Sequence, residues 1–365
     1  MTQAPKPAPR PGILDIAPYI GGDSHLPGVQ QVIKLASNEG ALGPSPRAVT
    51  ALRDYAPNQH RYPDGSLTGL RQALARRWGL EAERIVCGAG SDELITLLIR
   101  AYAGPGDNIV QSRHGFLMYS ITARGVGART IFAPEKDLVA DIDAMLAAVT
   151  PATRMVFLAN PNNPTGTLVG GEEVRRLHRG LRPDIVLVLD SAYAEFVDDP
   201  QYDPGTALVR HADNVVMLRT FSKIYALAGL RLGWGYCPPA IADVLNRLRG
   251  PFNVSAAAEA AGIAALEDVE FYELSRRHND HWRGWLAEQL AGIGIEAVPS
   301  VCNFILARFG SAEAADAADA ALRRDGLIVR RMGSYGLADS LRITVGTEPE
   351  MKALAASLAR FKAGA

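Results

Sequence analysis

Four side chains with complementary chemistry fall in one short window, Thr220-Phe221-Ser222-Lys223-Ile224-Tyr225-Ala226-Leu227-Ala228-Gly229-Leu230-Arg231. The hydroxyls of Thr220 and Ser222 can donate to phosphate oxygens, and Arg231 offers a planar fork to the same group. The amine of Lys223, once neutral, can form a Schiff base with an aldehyde. Upstream, Asp190 closes the apolar run Ile185-Val186-Leu187-Val188-Leu189 and leads into Ser191-Ala192-Tyr193. The run Met155-Val156-Phe157-Leu158 leads into Asn160-Pro161-Asn162-Asn163-Pro164-Thr165-Gly166. Two X-Pro steps and a glycine make that turn rigid, and Asn163 can present an amide from it. Arg84-Ile85-Val86-Cys87 runs into Gly88-Ala89-Gly90-Ser91-Asp92-Glu93 and an apolar helix. Such a helix start presents backbone N–H groups to phosphate. Singly, the lysine reads more plainly as a surface residue beside a helix start, and the glycine stretch as a tight turn.

Together they describe one ligand. An aldehyde-reactive amine, an anion cradle and a carboxylate suit pyridoxal phosphate, whose ring nitrogen is paired with a carboxylate in the enzymes that use it. Asp190 takes that last role.

The elements that position these groups follow from pattern. Each apolar run is short and β-rich, as in a parallel sheet covered on both faces, and ligands in such sheets lie at the carboxyl ends of the strands. Further runs at 108–111 and 128–132 alternate with helical stretches up to about residue 250. Helices are expected from Pro46 and over 67–78. A helix over 255–265 is expected to pass between domains. Beyond about residue 285 the pattern changes to strands at 293–298, 304–306, 327–330 and 341–345, with helices at 312–324 and 349–361. The whole reads as an α/β chain: a large domain built on a mostly parallel sheet covered by helices, plus a smaller α+β domain. The boundaries expected are an N-terminal arm over 1–35, Pro/Ala-rich at its start, a large domain over 36–255 and a small domain over 256–365, with part of the arm packed on it.

Composition narrows the class. A length of 365 residues suggests about two domains, and 48% hydrophobic residues suffice for large cores. A net charge of −1 with no basic run gives no support for nucleic-acid or anionic-membrane binding. Cys87, Cys237 and Cys302 form no C-x-x-C pair, which points to buried thiols in a reducing cytoplasm. No metal is expected, since the seven histidines show no ligand spacing. No apolar stretch approaches the roughly 20 residues of a membrane span. Lys6 and Arg10 precede no apolar segment of the secretory kind.

The set of segments resembles the fold-type I pyridoxal-phosphate-dependent aminotransferases, and within them the histidinol-phosphate aminotransferase family. The similar segments are Ala17-Pro18-Tyr19, Lys34 to Glu39, Arg61-Tyr62-Pro63-Asp64-Gly65, Gly88 to Glu93, His114 to Tyr119, Asn160 to Gly166, Asp190 to Tyr193, Thr220 to Gly233 and Leu341 to Gly346. They follow the family's order and span nearly the whole chain. The resemblance implies a homodimer that exchanges an amino group between histidinol phosphate and 2-oxoglutarate. It implies Lys223, Asp190 and Tyr193 as catalytic residues. It implies cofactor contacts from Gly90, Ser91, Asp92, Phe116, Asn163, Thr220, Ser222, Arg231 and, across the dimer, Tyr62. Substrate contacts would come from Tyr19, Asn38, Arg330 and Arg342, the two arginines holding the phosphate of one substrate and a carboxylate of the other. Arg331 stands where the family often has proline, and should face away from Arg330. Competing readings are an aromatic amino acid aminotransferase, a decarboxylase of a phosphorylated amino acid, and a non-catalytic regulatory protein that binds the same cofactor.

Overall fold

The computed structural model describes residues 7–18, 21, 23–28 and 32–364. Tyr19 lies outside the described residues. One sheet holds seven strands: β1 (Ile85–Gly88), β2 (Asn108–Ser112), β3 (Arg129–Ala133), β4 (Thr153–Ala159), β5 (Val186–Asp190), β6 (Val215–Thr220) and β7 (Gly233–Tyr236). Their order is β1-β7-β6-β5-β4-β2-β3. From β6 to β3 every pair is parallel, whereas β7 runs antiparallel to both β6 and β1.

The apolar runs are continuous because both faces are covered. In β5, Val186 and Val188 enter one core while Leu187 and Leu189 enter the other, the two-residue period of a strand. Around the sheet lie α1 (Pro46–Tyr55), α2 (Thr68–Trp78), α3 (Ser91–Tyr102), α4 (Leu117–Val126) and α5 (Ala256–Glu267). The start of α1 is set by Pro46 in its first turn and by Ser45, whose hydroxyl accepts from the Ala48 N–H. The sequence Gly-Trp-Gly-Tyr in β7 has a steric cause. A Cβ on Gly233 would sit 2.2 Å from the Ser91 nitrogen, so a side chain there would drive the start of α3 off the sheet. Trp234 and Tyr236 are buried in the core on the other face.

After α6 (Val269–Gly292), the smaller sheet comprises β8 (Glu296–Ala297), β9 (Phe304–Arg308), β10 (Arg330–Arg331) and β11 (Ser340–Thr344), ordered β8-β9-β11-β10 and antiparallel. With α6, α7 (Ala312–Arg324) and α8 (Glu348–Ala363) it encloses a core containing Leu286, Ile305, Leu322, Ile343 and Leu354. Thr347 and Glu350 form a capping box that starts α8. The arm's Ile33–Lys34 pairs in parallel with Leu327–Ile328.

Two elements differ from the expectation. The 24-residue helix α6 was not anticipated; its four buried residues, Asn279, Trp282, Leu286 and Leu290, include a polar one and leave its first ten positions without any, so no apolar stripe runs its length. α5 was expected with the small domain, yet Ala258, Ala261, Ala265 and Leu266 lie in the core beside the large sheet, packed on α1 and α2. An alanine-rich helix lets its neighbours approach closely, and here those neighbours belong to the large sheet's side. Among the described residues no helix is long and apolar enough to cross a membrane.

Candidate active site

The strand ends converge. Ala159, Asp190 and Thr220 close β4, β5 and β6, and the register pairs Ala159 with Asp190 and Asp190 with Leu218. Beyond these ends lies a cavity of about 240 Å³. Ser91, Asp92, Phe116, Asn163, Asp190, Tyr193, Thr220, Ser222, Lys223 and Arg231 all line it, so ten of the residues expected at the site meet there.

Lys223 follows β6 by three residues and is half-buried, with Nζ 3.4 Å from the Ser37 carbonyl oxygen and 5.7 Å from the centre of the Tyr193 ring. Burial lowers its pKa to about 8; Arg342 and Arg231 push the same way, Asp92 and Glu39 the other. A sizeable neutral fraction near neutral pH is what an amine that reacts with aldehydes requires.

Asp190 is buried and raised to about 6, chiefly by desolvation with help from Asp92. Tyr119 opposes this by donating to Oδ2 at 2.5 Å, and the Ala192 N–H donates to Oδ1 at 3.3 Å. The hydroxyl of Tyr193 accepts from the Asn38 side chain at 2.8 Å, and burial pushes its pKa up. Tyr193 therefore enters the site as a neutral donor.

At the other end stand the anion-binding groups. α3 begins at Ser91 after Gly90, whose φ is +84°. A Cβ on Gly90 would lie 2.6 Å from Arg231 Nη2, so the glycine makes room for the guanidinium to lie across the turn. Arg231 reaches Asp92 at 3.5 Å. The hydroxyl of Thr220 accepts from the Ser222 N–H at 3.1 Å, which fixes the loop that presents both hydroxyls.

The small sheet contributes from one face. Leu306 and Arg330 sit directly opposite Arg342, so all three share the side away from the small core. Arg342 is buried, donates to Asn163 Oδ1 and to the Ala36 carbonyl oxygen at 3.0 Å, and lies over the Phe304 ring at 5.3 Å. With its oxygen engaged, Asn163 keeps its NH₂ for a ligand oxygen.

Among the described residues, five expected ones do not line this cavity. Arg342 stands behind it, joined to it through Asn163. Asn38 is buried behind it, held by Thr344 and donating to Tyr193. Gly90 lies beneath Arg231. Tyr62 is 82% exposed and stacks on Phe252 with ring centres 4.7 Å apart. Arg330 lines a neighbouring cleft of about 1280 Å³ between arm residues 11–18, α4 and the small sheet. Arg331 is exposed and paired with Asp316. Sequence reasoning gave no role to Ser37, Glu39, Ala192 or Tyr119, although the first three line the cavity and the fourth touches Asp190. Tyr119 ends one of the similar segments but its role was not assigned, because its partner is 71 residues away.

A carboxylate at one end, an amine between, and two hydroxyls, a guanidinium and a helix start at the other match pyridoxal phosphate group by group. The chain belongs to the family described as aminotransferase class I and II, matched over residues 30–358. It is 59% identical over 357 residues to the histidinol-phosphate aminotransferase of Paramagnetospirillum magneticum, covering 97% of this chain and 98% of that one. It is 60% identical over 366 residues to that of Rhodospirillum rubrum, covering 100% and 99%. Among solved structures, the histidinol-phosphate aminotransferase of Sinorhizobium meliloti in complex with pyridoxal-5'-phosphate superposes with a TM-score of 0.90 at 30% identity, covering 97% of each chain. The protein is a pyridoxal-phosphate-dependent aminotransferase of fold type I.

Proposed function

We propose that the chain transfers an amino group between L-histidinol phosphate and 2-oxoglutarate, giving imidazole acetol phosphate and glutamate, a step of histidine biosynthesis. The observation that carries this reading is Arg342, a buried guanidinium fixed to Asn163 at the cavity. Histidinol phosphate has no α-carboxylate, so its phosphate must use the anion site that glutamate's carboxylate uses. One site for two anions suits a planar fork of several donors. The curated relatives of the same name, at full length, support it.

When bound, the cofactor supplies an electron sink and carries the amino group between the half-reactions. Lys223 Nζ would hold the aldehyde end, and as a neutral amine it would take the proton from substrate Cα and deliver it to the cofactor's C4′ carbon. Asp190 holds the ring nitrogen's proton. Tyr193 and Asn163 donate to the ring oxygen, with Asn38 holding Tyr193. Thr220, Ser222, Arg231 and the first N–H groups of α3 bind the phosphate, and Phe116 walls the ring. Arg342 and Arg330, on one face of the small sheet, receive the substrate anion, with Tyr19 on the arm. We assign the working unit as a homodimer in the cytoplasm, with Tyr62 reaching the partner's cofactor. Supporting this are the exposure of Tyr62 away from its own cavity and three free, buried cysteines.

The test is single-turnover kinetics with histidinol phosphate, glutamate, phenylalanine and tyrosine, on the parent and on Arg342→Ala. Removing one partner of a buried charged hydrogen bond costs about 2–5 kcal/mol, roughly 30- to 5000-fold in rate. Both histidinol phosphate and glutamate should slow in that range, with the spectrum of the bound cofactor unchanged. Loss of glutamate turnover with histidinol phosphate retained refutes the shared anion site. It would favour an aromatic aminotransferase.

A further inference from the structure

We propose that Tyr119 is a positioning residue whose hydroxyl clamps the Asp190 carboxylate and aims its second oxygen at the cofactor's ring nitrogen. The inference rests on the reading of the cavity as a pyridoxal phosphate site and not on the identity of the amino substrate.

Tyr119 lies in the first turn of α4, three residues beyond Phe116. It is fully buried. Its ring stacks on Phe157 of β4, with centres 4.5 Å apart and planes at 19°, and meets Phe116 edge-on at 5.7 Å and 85°. Two aromatic contacts in nearly perpendicular directions leave the phenol one orientation, in which its O–H reaches Asp190 Oδ2 at 2.5 Å. That oxygen is thereby occupied by a protein donor. Oδ1 takes only a long bond from the Ala192 N–H, and Asp190 itself lines the cavity. The carboxylate has one oxygen tied back and one offered to a ligand.

The clamp also acts on protonation. The groups facing Asp190 are Tyr119 from α4, Asp92 from α3, Lys223 from the loop after β6 and Tyr193 from its own loop. Burial and the charge of Asp92 favour the neutral acid; Tyr119, the Ala192 N–H and Lys223 favour the carboxylate. A neutral acid cannot pair with a protonated ring nitrogen. Tyr119 is the one neutral side-chain donor in that balance, and deleting a single oxygen removes it without emptying the core.

The probe is 4′-deoxypyridoxine 5′-phosphate, which lacks the aldehyde and so reports ring and phosphate contacts without reaction at Lys223. Its affinity for the full-length apoprotein is followed by tryptophan fluorescence across acid to mildly alkaline pH. In the parent, affinity should fall as pH drops through the Asp190 titration. In Tyr119→Phe that midpoint should move up by about one to two pH units, the equivalent of losing a hydrogen bond to a charge. The affinity deficit should be several-fold or less at alkaline pH and tenfold or more at acid pH. 3-Fluorotyrosine placed at position 119, a stronger donor of the same shape, should move the midpoint down, and this arm stands even if Tyr119→Phe folds poorly. Ile241→Ala, which opens a cavity in the same core away from the ring contacts of Tyr119, should lower thermal stability and leave the midpoint in place. An unmoved midpoint in Tyr119→Phe or in the fluorotyrosine protein overturns the proposal, as does an equal shift in Ile241→Ala. Absence of binding by the parent overturns the cofactor site and this inference with it.

Discussion

Replacing Lys223 by methionine should make the apoprotein more stable, and by an amount that depends on pH. The ammonium is held where burial and two arginines disfavour it, so its pKa falls from 10.5 to about 8. At about 1.4 kcal/mol per decade, that fall corresponds to roughly 3 kcal/mol of destabilisation in the charged form. The sign follows from proton counting. Between about 8 and 10.5 the unfolded chain holds a proton that the folded chain has lost, so parent stability rises with pH through this window. Below it the cost is complete. Methionine removes the charge at similar length and loses only the long contact to the Ser37 carbonyl and the distant approach to the Tyr193 ring. Urea unfolding of both apoproteins should show the variant ahead by about 3 kcal/mol at pH 7 and by about 2 kcal/mol at pH 9. A gap that stays constant with pH, or a variant less stable than the parent, refutes the reasoning. It would mean that Lys223 is comfortably solvated, and its reactivity would need another cause.

Two further outcomes are expected. Gly90→Ala places a methyl where φ is +84° and where Arg231 Nη2 would be 2.6 Å away, so stability should fall by about 1–2 kcal/mol and affinity for inorganic phosphate should weaken as the guanidinium is displaced; unchanged phosphate affinity in a destabilised variant would show that Arg231 binds the anion without that close approach. Subunit exchange between inactive Tyr62→Phe and Lys223→Ala chains should restore activity above either parent, because one mixed site carries both lesions and the other carries none; activity that never rises after exchange would place Tyr62 outside the shared site.

The legible parts of the sequence were those where one local rule dominated. Val186–Asp190 and Val215–Thr220 are uninterrupted apolar runs ending in a polar residue, so strand and site were read together. Pro46 and Ser45 marked α1 to the residue. The strand β7 was hidden because its glycines answer to other segments, Gly233 to the backbone of Gly90–Ser91 and Gly235 to the Leu218 side chain, and not to strand propensity. The expected strand over 293–298 shrank to Glu296–Ala297 because Gly294, at φ +70°, turns the chain out of α6. At the site, residue types that can do chemistry were visible in the motifs. The contacts that hold them were not: Asn38 was expected at the substrate and instead holds Tyr193, and Tyr119 had no assigned role, since a tyrosine in a core looks the same in sequence whether or not its hydroxyl has work.

The antiparallel strand β7 has a consequence for how the chain is made. β1 is the edge of the large sheet, and its neighbour there is β7, so Gly88 waits for Gly233, roughly 150 residues later in the chain. At about 5–20 residues per second on a ribosome, that wait is on the order of ten seconds or more. During it the emerging protein has an open edge, and α3 has no strand beneath its first turn. The two halves of the phosphate cradle, Ser91 after β1 and Thr220 after β6, are separate until β7 inserts between them. Arrival of the cofactor is thereby tied to the last sheet strand to be synthesised, and a nascent chain stalled before Gly233 has no site to load.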